Sequence, residues 1–138
     1  MEAQSTAYIA SGAGVAVVND TIFACGGYDG SMHLKSVECL NVRTGQWTSM
    51  TCMNIPRCYV GACVLKGKLF VVAGSVFCPL STSCDQSNEC VWSCCRYDGS
   101  TLLNSVESYD WCLDSWELLE YKMAEKRCDA GVTVVRQC

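Results

Sequence analysis

The sequence predicts an all-β chain: two four-stranded antiparallel blades of a partial β-propeller, followed by one strand of a third. Three observations carry this. Residues 14–27 are matched by residues 61–74 at an offset of 47. Each copy divides into short β-rich runs separated by turn residues, and four strands at a period of about 40 to 50 make a propeller blade. No segment shows a convincing helical period; 117–126 is a weak candidate, and its place in the repeat says strand and loop.

The elements follow in order. A tail covers 1–11 and the first blade 12–60. Runs 14–18 and 21–25 flank Asn19-Asp20, a tight-turn pair. Gly26-Gly27 ends the second strand. Residues 34–40 form the third, with Leu34, Ser36, Glu38 and Leu40 on one face and Lys35, Val37 and Cys39 on the other. Thr44-Gly45 is a turn signal, and 46–50 is the fourth strand, anchored by Trp47. The second blade covers 61–130. Its later part repeats at an offset of 69: Tyr28-Asp29-Gly30 returns as Tyr97-Asp98-Gly99, Leu34 as Leu103, Val37-Glu38 as Val106-Glu107 and Trp47 as Trp116. At an offset of 70, Met53 and Arg57 meet Met123 and Arg127. The change from 47 to 69 places 22 extra residues near 75–95. Residues 131–136 open a third copy, so 131–138 read as the first strand of an incomplete blade.

Composition excludes several classes. Lys plus Arg is 10 against 14 Asp plus Glu, a net charge of −4 with no basic block, which argues against nucleic acid as a partner. The apolar runs fall far short of the roughly 20 residues that span a membrane. Residues 1–5 are acidic and polar, unlike a secretory leader. Cysteine is dense, at 13 of 138, and odd in number. Without a leader, this points to free thiols in a reducing compartment, the cytoplasm.

Few residues carry chemistry. Gly26, Gly27 and Gly74 serve the backbone, since no Gly-Lys-Ser/Thr or helix follows them. Trp47 and Trp116 are blade-packing anchors. Glu38 and Glu107 are repeat-equivalent, as are Arg57 and Arg127, which suggests structural charge pairs within or between blades. His33 is the one histidine, and no nucleophile elbow, metal helix or dinucleotide fingerprint occurs. The chain reads as a non-enzyme without a cofactor. Cys78, Cys84, Cys90, Cys94 and Cys95 crowd the insertion and form a candidate redox cluster, although only Arg96 lies near to activate a thiol. Only Cys90 and Cys94 have finger-like spacing, so no metal site is assigned. Cys25, Cys39 and Cys63 fall in strands and behave as small hydrophobes. Cys58 and Cys128 are repeat-equivalent; stacked sheets sit about 10 Å apart and a disulfide needs Cα atoms within about 7 Å, so this pair is predicted not to bond.

The double glycine, Tyr28-Asp29-Gly30, Leu34, Ser36-Val37-Glu38, Trp47, Met53 and Arg57, with their second-copy partners, resemble the kelch repeat. The likeness covers 12–136 and is greatest to BTB-kelch proteins, substrate adaptors of cullin-type ubiquitin ligases. It implies a protein or peptide ligand, bound on the face where the loop after the second strand meets the blade-joining loop. Carried over, that face holds Tyr28, Asp29 and His33 in the first loop, and Tyr59 and Asp129 beside the joints. The family's cullin-recruiting BTB domain is not in this sequence, so BTB and cullin components would be reached indirectly. Two blades leave outer sheet faces exposed. The chain is therefore either a fragment or a unit that assembles with copies of itself. Three copies would give six blades, with 131–136 adding to a neighbour's blade. The implied function is substrate recognition for a cullin-type ligase. The alternative is a truncated or self-assembling cysteine-rich protein acting as a redox-sensitive binder or competitor.

Overall fold

A computed structural model describes residues 11–76, 102–129 and 131–133. The insertion cysteines 78, 84, 90, 94 and 95, most of the tail and 134–138 lie outside the described residues; 131–133 carry no strand.

Eight strands form two antiparallel sheets and no helix occurs among the described residues. The first sheet holds β1 (Gly14–Val18), β2 (Thr21–Cys25), β3 (Val37–Asn41) and β4 (Gln46–Met50), paired in sequence order. The second holds β5 (Gly61–Leu65), β6 (Lys68–Val72), β7 (Val106–Asp110) and β8 (Ser115–Leu118), in the same order. These are the two blades. The hairpin turns suit their residues: Asn19, Lys66 and Gly67 all take positive φ, which tight two-residue turns require. At the β3–β4 turn, Asn41 Oδ1 accepts the Arg43 and Thr44 amides; at β7–β8, Asp110 Oδ1 accepts those of Cys112 and Leu113.

The third strand starts three residues later than the alternation predicts. Residues 34–36 leave the ladder because the blade's closing loop needs their backbone. Leu34 O accepts the Arg57 amide and Lys35 O accepts that of Met53, each at 2.9 Å.

Register assigns the faces, since directly paired residues point the same way. On the front of the first blade lie the rows Val17–Ile22–Leu40–Trp47 and Val15–Ala24–Glu38–Ser49. Its back carries Ala16–Phe23–Cys39 and Cys25–Val37–Met50. The front of the second blade carries Val64–Leu69–Tyr109–Trp116 and Ala62–Val71–Glu107. The core is the joint of the first blade's back with the second blade's front: Ala16, Phe23, Cys25, Val37 and Met53 pack with Leu69, Val71, Tyr109 and Trp116. Two blades thus share one apolar layer, which neither sheet could bury alone.

The repeated tryptophans differ. Trp116 is buried and its indole donates to Thr51 O of the first blade at 2.8 Å. Trp47, on the front of the first blade, is 42% exposed. The joint also holds a polar strip: Tyr109 and Thr51 hydroxyls both donate to Asp114 Oδ1, at 2.5 and 2.7 Å. Those two bonds, the tyrosine's first, keep the Asp114 carboxyl below its usual range.

Candidate partner-binding face

Equivalent residues stand at the blade joints, Gly12, Tyr59 and Asp129, and all three have positive φ: 70°, 54° and 57°. This turn lets backbone join backbone from blade to blade. Tyr59 N donates to Gly12 O at 2.7 Å, and Asp129 N to Tyr59 O at 2.8 Å. Just before each turn, Ser11 exchanges two amide bonds with Tyr28, and Cys58 does the same with Ser75. Tyr28, Tyr59 and Asp129 therefore stand on one continuous hydrogen-bonded rim.

The loop after β2 is held by its own side chains. Asp29 Oδ1 accepts from Ser31 N, Ser31 Oγ and Met32 N, all at 2.8 Å. The Met32 and Ser31 donors hold this carboxyl below its usual range. Tyr28 Oη donates to Gly30 O at 2.8 Å, and its ring meets the His33 ring edge-on at 5.7 Å. His33 is half-buried between this loop and Ser75 of the next blade. Burial pushes its imidazole down, against an opposing backbone hydrogen bond at Ser75.

The five sequence-derived contact residues thus share one face but not one role. Asp29 organises its loop, and the Tyr28 hydroxyl closes it. Asp129 is exposed at the outer joint. Met32, 56% exposed, is the apolar tip of the loop and was not singled out from sequence. Ser75, which replaces Tyr28 in the second blade, was also missed. The offset of 47 from Tyr28 marks it.

The residues assigned to structure take these places. Gly26, Gly27 and Gly74 have φ of 66°, 110° and 99°. Gly27 N donates to Arg57 O and Gly74 N to Arg127 O, fastening each blade's second strand to its closing loop. Arg57 and Glu107 are fully buried and 3.0 Å apart. Arg127 is exposed, 3.3 Å from Glu125, and Glu38 is half-buried on the front of the first blade. Cys58 and Cys128 are separate thiols; Cys58 is buried against Ser11 O, and burial pushes its thiol up. Among the described residues, no three His, Cys, Asp or Glu are grouped to hold a metal ion.

The family model for the Kelch motif matches residues 10–54 and 56–90. The chain belongs to the kelch-repeat family. Its relatives include the human influenza virus NS1A-binding protein, 41% identical over 68 residues, covering 49% of this chain and 11% of that protein. Kelch repeat and BTB domain-containing protein 2 of cowpox virus is 30% identical over 105 residues, covering 76% of this chain and 18% of that protein. Mouse kelch-like protein 28 is 36% identical over 69 residues, covering 44% and 12%. The chain spans only 11% to 18% of the length of these three relatives.

Proposed function

We propose that this kelch module recognises a protein substrate for a cullin-type ubiquitin ligase in the cytoplasm, with the BTB function supplied by another segment or chain. Kelch repeats make it a protein-interaction module. Relatives that bear both kelch repeats and a BTB domain support the ligase reading. The observation that carries the binding face is the rim joining Gly12, Tyr59 and Asp129, which sets the Tyr28–His33 loop beside the blade joints on a rigid backbone. Exposed loop residues on a fixed frame are the usual site of recognition. Met32 offers an apolar contact and Asp129 a charge, so the ligand suited to this face is a peptide with an apolar residue near a basic one.

The test is quantitative affinity capture from cell extract with the wild-type chain and with Met32→Ser and Asp129→Lys variants. Partners lost from both variants, together with co-capture of a BTB protein and a cullin, support the proposal. Identical capture by all three chains refutes the face. Partners without a cullin refute the ligase role and leave the binding module standing.

A further inference from the structure

The tip of the loop after β2, residues 29–32, is closed from both sides. Tyr28 and His33 form an antiparallel bridge at its base. Within it, Met32 N donates to Asp29 Oδ1 at 2.8 Å, and Asp29 N donates to Met32 O at 3.3 Å. The backbone of Met32 is thus committed to the loop, while its thioether side chain stands 56% exposed. His33 beside it is half-buried against Ser75 of the second blade, so the tip stands at the joint between the two described blades. The other described methionines are sheltered. Met53 is 1% exposed in the core, Met50 packs against that core, and Met123 is half-buried.

We infer that Met32 is a site of reversible oxidation by a peroxide, and that its sulfoxide switches the partner-binding face off. The inference rests on the partner-binding reading above, in which Met32 is the apolar contact. The thioether sulfur attacks one peroxide oxygen; the S–O bond forms as the O–O bond breaks, and sulfur gives up two electrons. The second oxygen leaves as hydroxide, takes the proton of the first and becomes water. The product is a polar, chiral side chain in place of a flexible apolar one. A partner pocket shaped for an apolar residue would have to strip water from the new S–O dipole without a matching donor, which opposes binding. Methionine sulfoxide reductases return the thioether, so the change is reversible. Selectivity comes from the fold: the tip holds one accessible sulfur, whereas Met53 is enclosed where the two blades pack.

The test treats the full chain briefly with hydrogen peroxide, stops the reaction with catalase, and reads two quantities. Peptide mass spectrometry is expected to find sulfoxide first at Met32 and last at Met53. Affinity capture from cell extract is scored on the proteins that the untreated chain binds and its Met32→Ser variant loses. Capture of these by the oxidised chain is expected to fall about tenfold, the loss of one apolar anchor. Both methionine sulfoxide reductases with dithiothreitol are expected to restore it. Met32→Leu keeps an apolar tip without sulfur; its capture after peroxide, relative to its own untreated form, is expected not to fall. Oxidation of Met53 as fast as Met32, undiminished capture by the Met32 sulfoxide, or an equal loss in Met32→Leu overturns the inference and leaves the binding face standing. If Met32→Ser loses no protein that the untreated chain captures, the partner-binding reading itself fails, and the switch with it.

Discussion

Arg57 ends the first blade, but its guanidinium lies inside the second. Its Nη2 and Nε donate to Glu107 Oε1 at 3.0 and 3.2 Å, and Nη1 donates to Ala73 O at 2.8 Å and Ser105 O at 3.1 Å. Nη2 also donates to Ser105 Oγ at 2.9 Å. Glu107 in return accepts the amides of Asn54 and Ile55, from the linker between blades. Burial works against the charge on Arg57, and the Glu107 carboxylate opposes that effect. A buried pair of this kind is costly to break, because the remaining partner keeps an uncompensated charge.

Glu107→Ala is therefore expected to cost about 3–5 kcal/mol. It strands Arg57 and leaves two linker amides without an acceptor. Arg57→Met combined with Glu107→Leu is expected to recover part of this loss, since the stranded charge disappears while the amides stay unsatisfied at about 1–3 kcal/mol each. Urea unfolding of wild type, both single variants and the double variant measures the coupling. Additive losses would show that the two side chains do not act as a pair.

Backbone conformation separates two equivalent positions. Gly26 and Ala73 have nearly the same φ, 66° and 63°. A Cβ on Gly26 would lie 2.2 Å from Arg57 O, backbone that cannot move because Arg57 is anchored in the next blade. Gly26→Ala is expected to destabilise strongly, by the left-handed cost of about 1–2 kcal/mol plus the clash. Ala73→Gly relieves the same conformational cost and is expected to be neutral or to stabilise by up to about 1 kcal/mol. Urea midpoints of the two variants decide it; equal losses at both sites would refute the argument.

Both predictions rest on features that the sequence shows unequally. The runs 14–18, 21–25 and 46–50 emerge as strands at those bounds because alternation, turn residues and repetition agree. The third strand does not, because alternation reports which way side chains point and not whether the ladder is made. The repeat also marks Arg57, Arg127, Glu38 and Glu107 as equivalent pairs, but it is silent on reach. Within the first blade Arg57 and Glu38 are just as close in sequence as a pairing would need. Only the packing shows that the arginine bonds forward, to Glu107. The same directionality separates buried Trp116 from exposed Trp47. On the rim, Asp29 reads as a contact residue from its loop position, whereas its three short bonds commit it to the loop.

Cysteine reactivity should divide by burial. Cys52 and Cys112 are exposed, whereas Cys25 and Cys58 are fully buried. The thiolate is the reactive form, and burial pushes the Cys25 thiol up to about 12. Brief maleimide labelling of the native protein at neutral pH, read by peptide mass spectrometry, is expected to mark Cys52 and Cys112. Cys25 and Cys58 are expected to label only in denaturant. Native labelling of Cys25 at the rate of Cys52 would mean that the joint between blades opens readily.

The same buried groups set the response to alkali. Burial raises Cys25 from 9.0 to about 12. It also raises Tyr109 from 10.0 to about 12, with the Asp114 hydrogen bond adding to the shift. Both groups keep their protons longer in the folded chain than in the unfolded one. The unfolded state therefore binds fewer protons above pH 9, and stability falls as pH rises. Below pH 9 the contribution is complete; between pH 9 and 12 it is lost, to the extent of about 4 kcal/mol for Cys25 alone. Urea midpoints between pH 7 and 11 are expected to stay level at first and then decline. Cys25→Val removes the largest titrating group while keeping the joint apolar, so its decline should be shallower. Parallel curves for the variant and the wild type would show that Cys25 does not hold its proton in the folded joint.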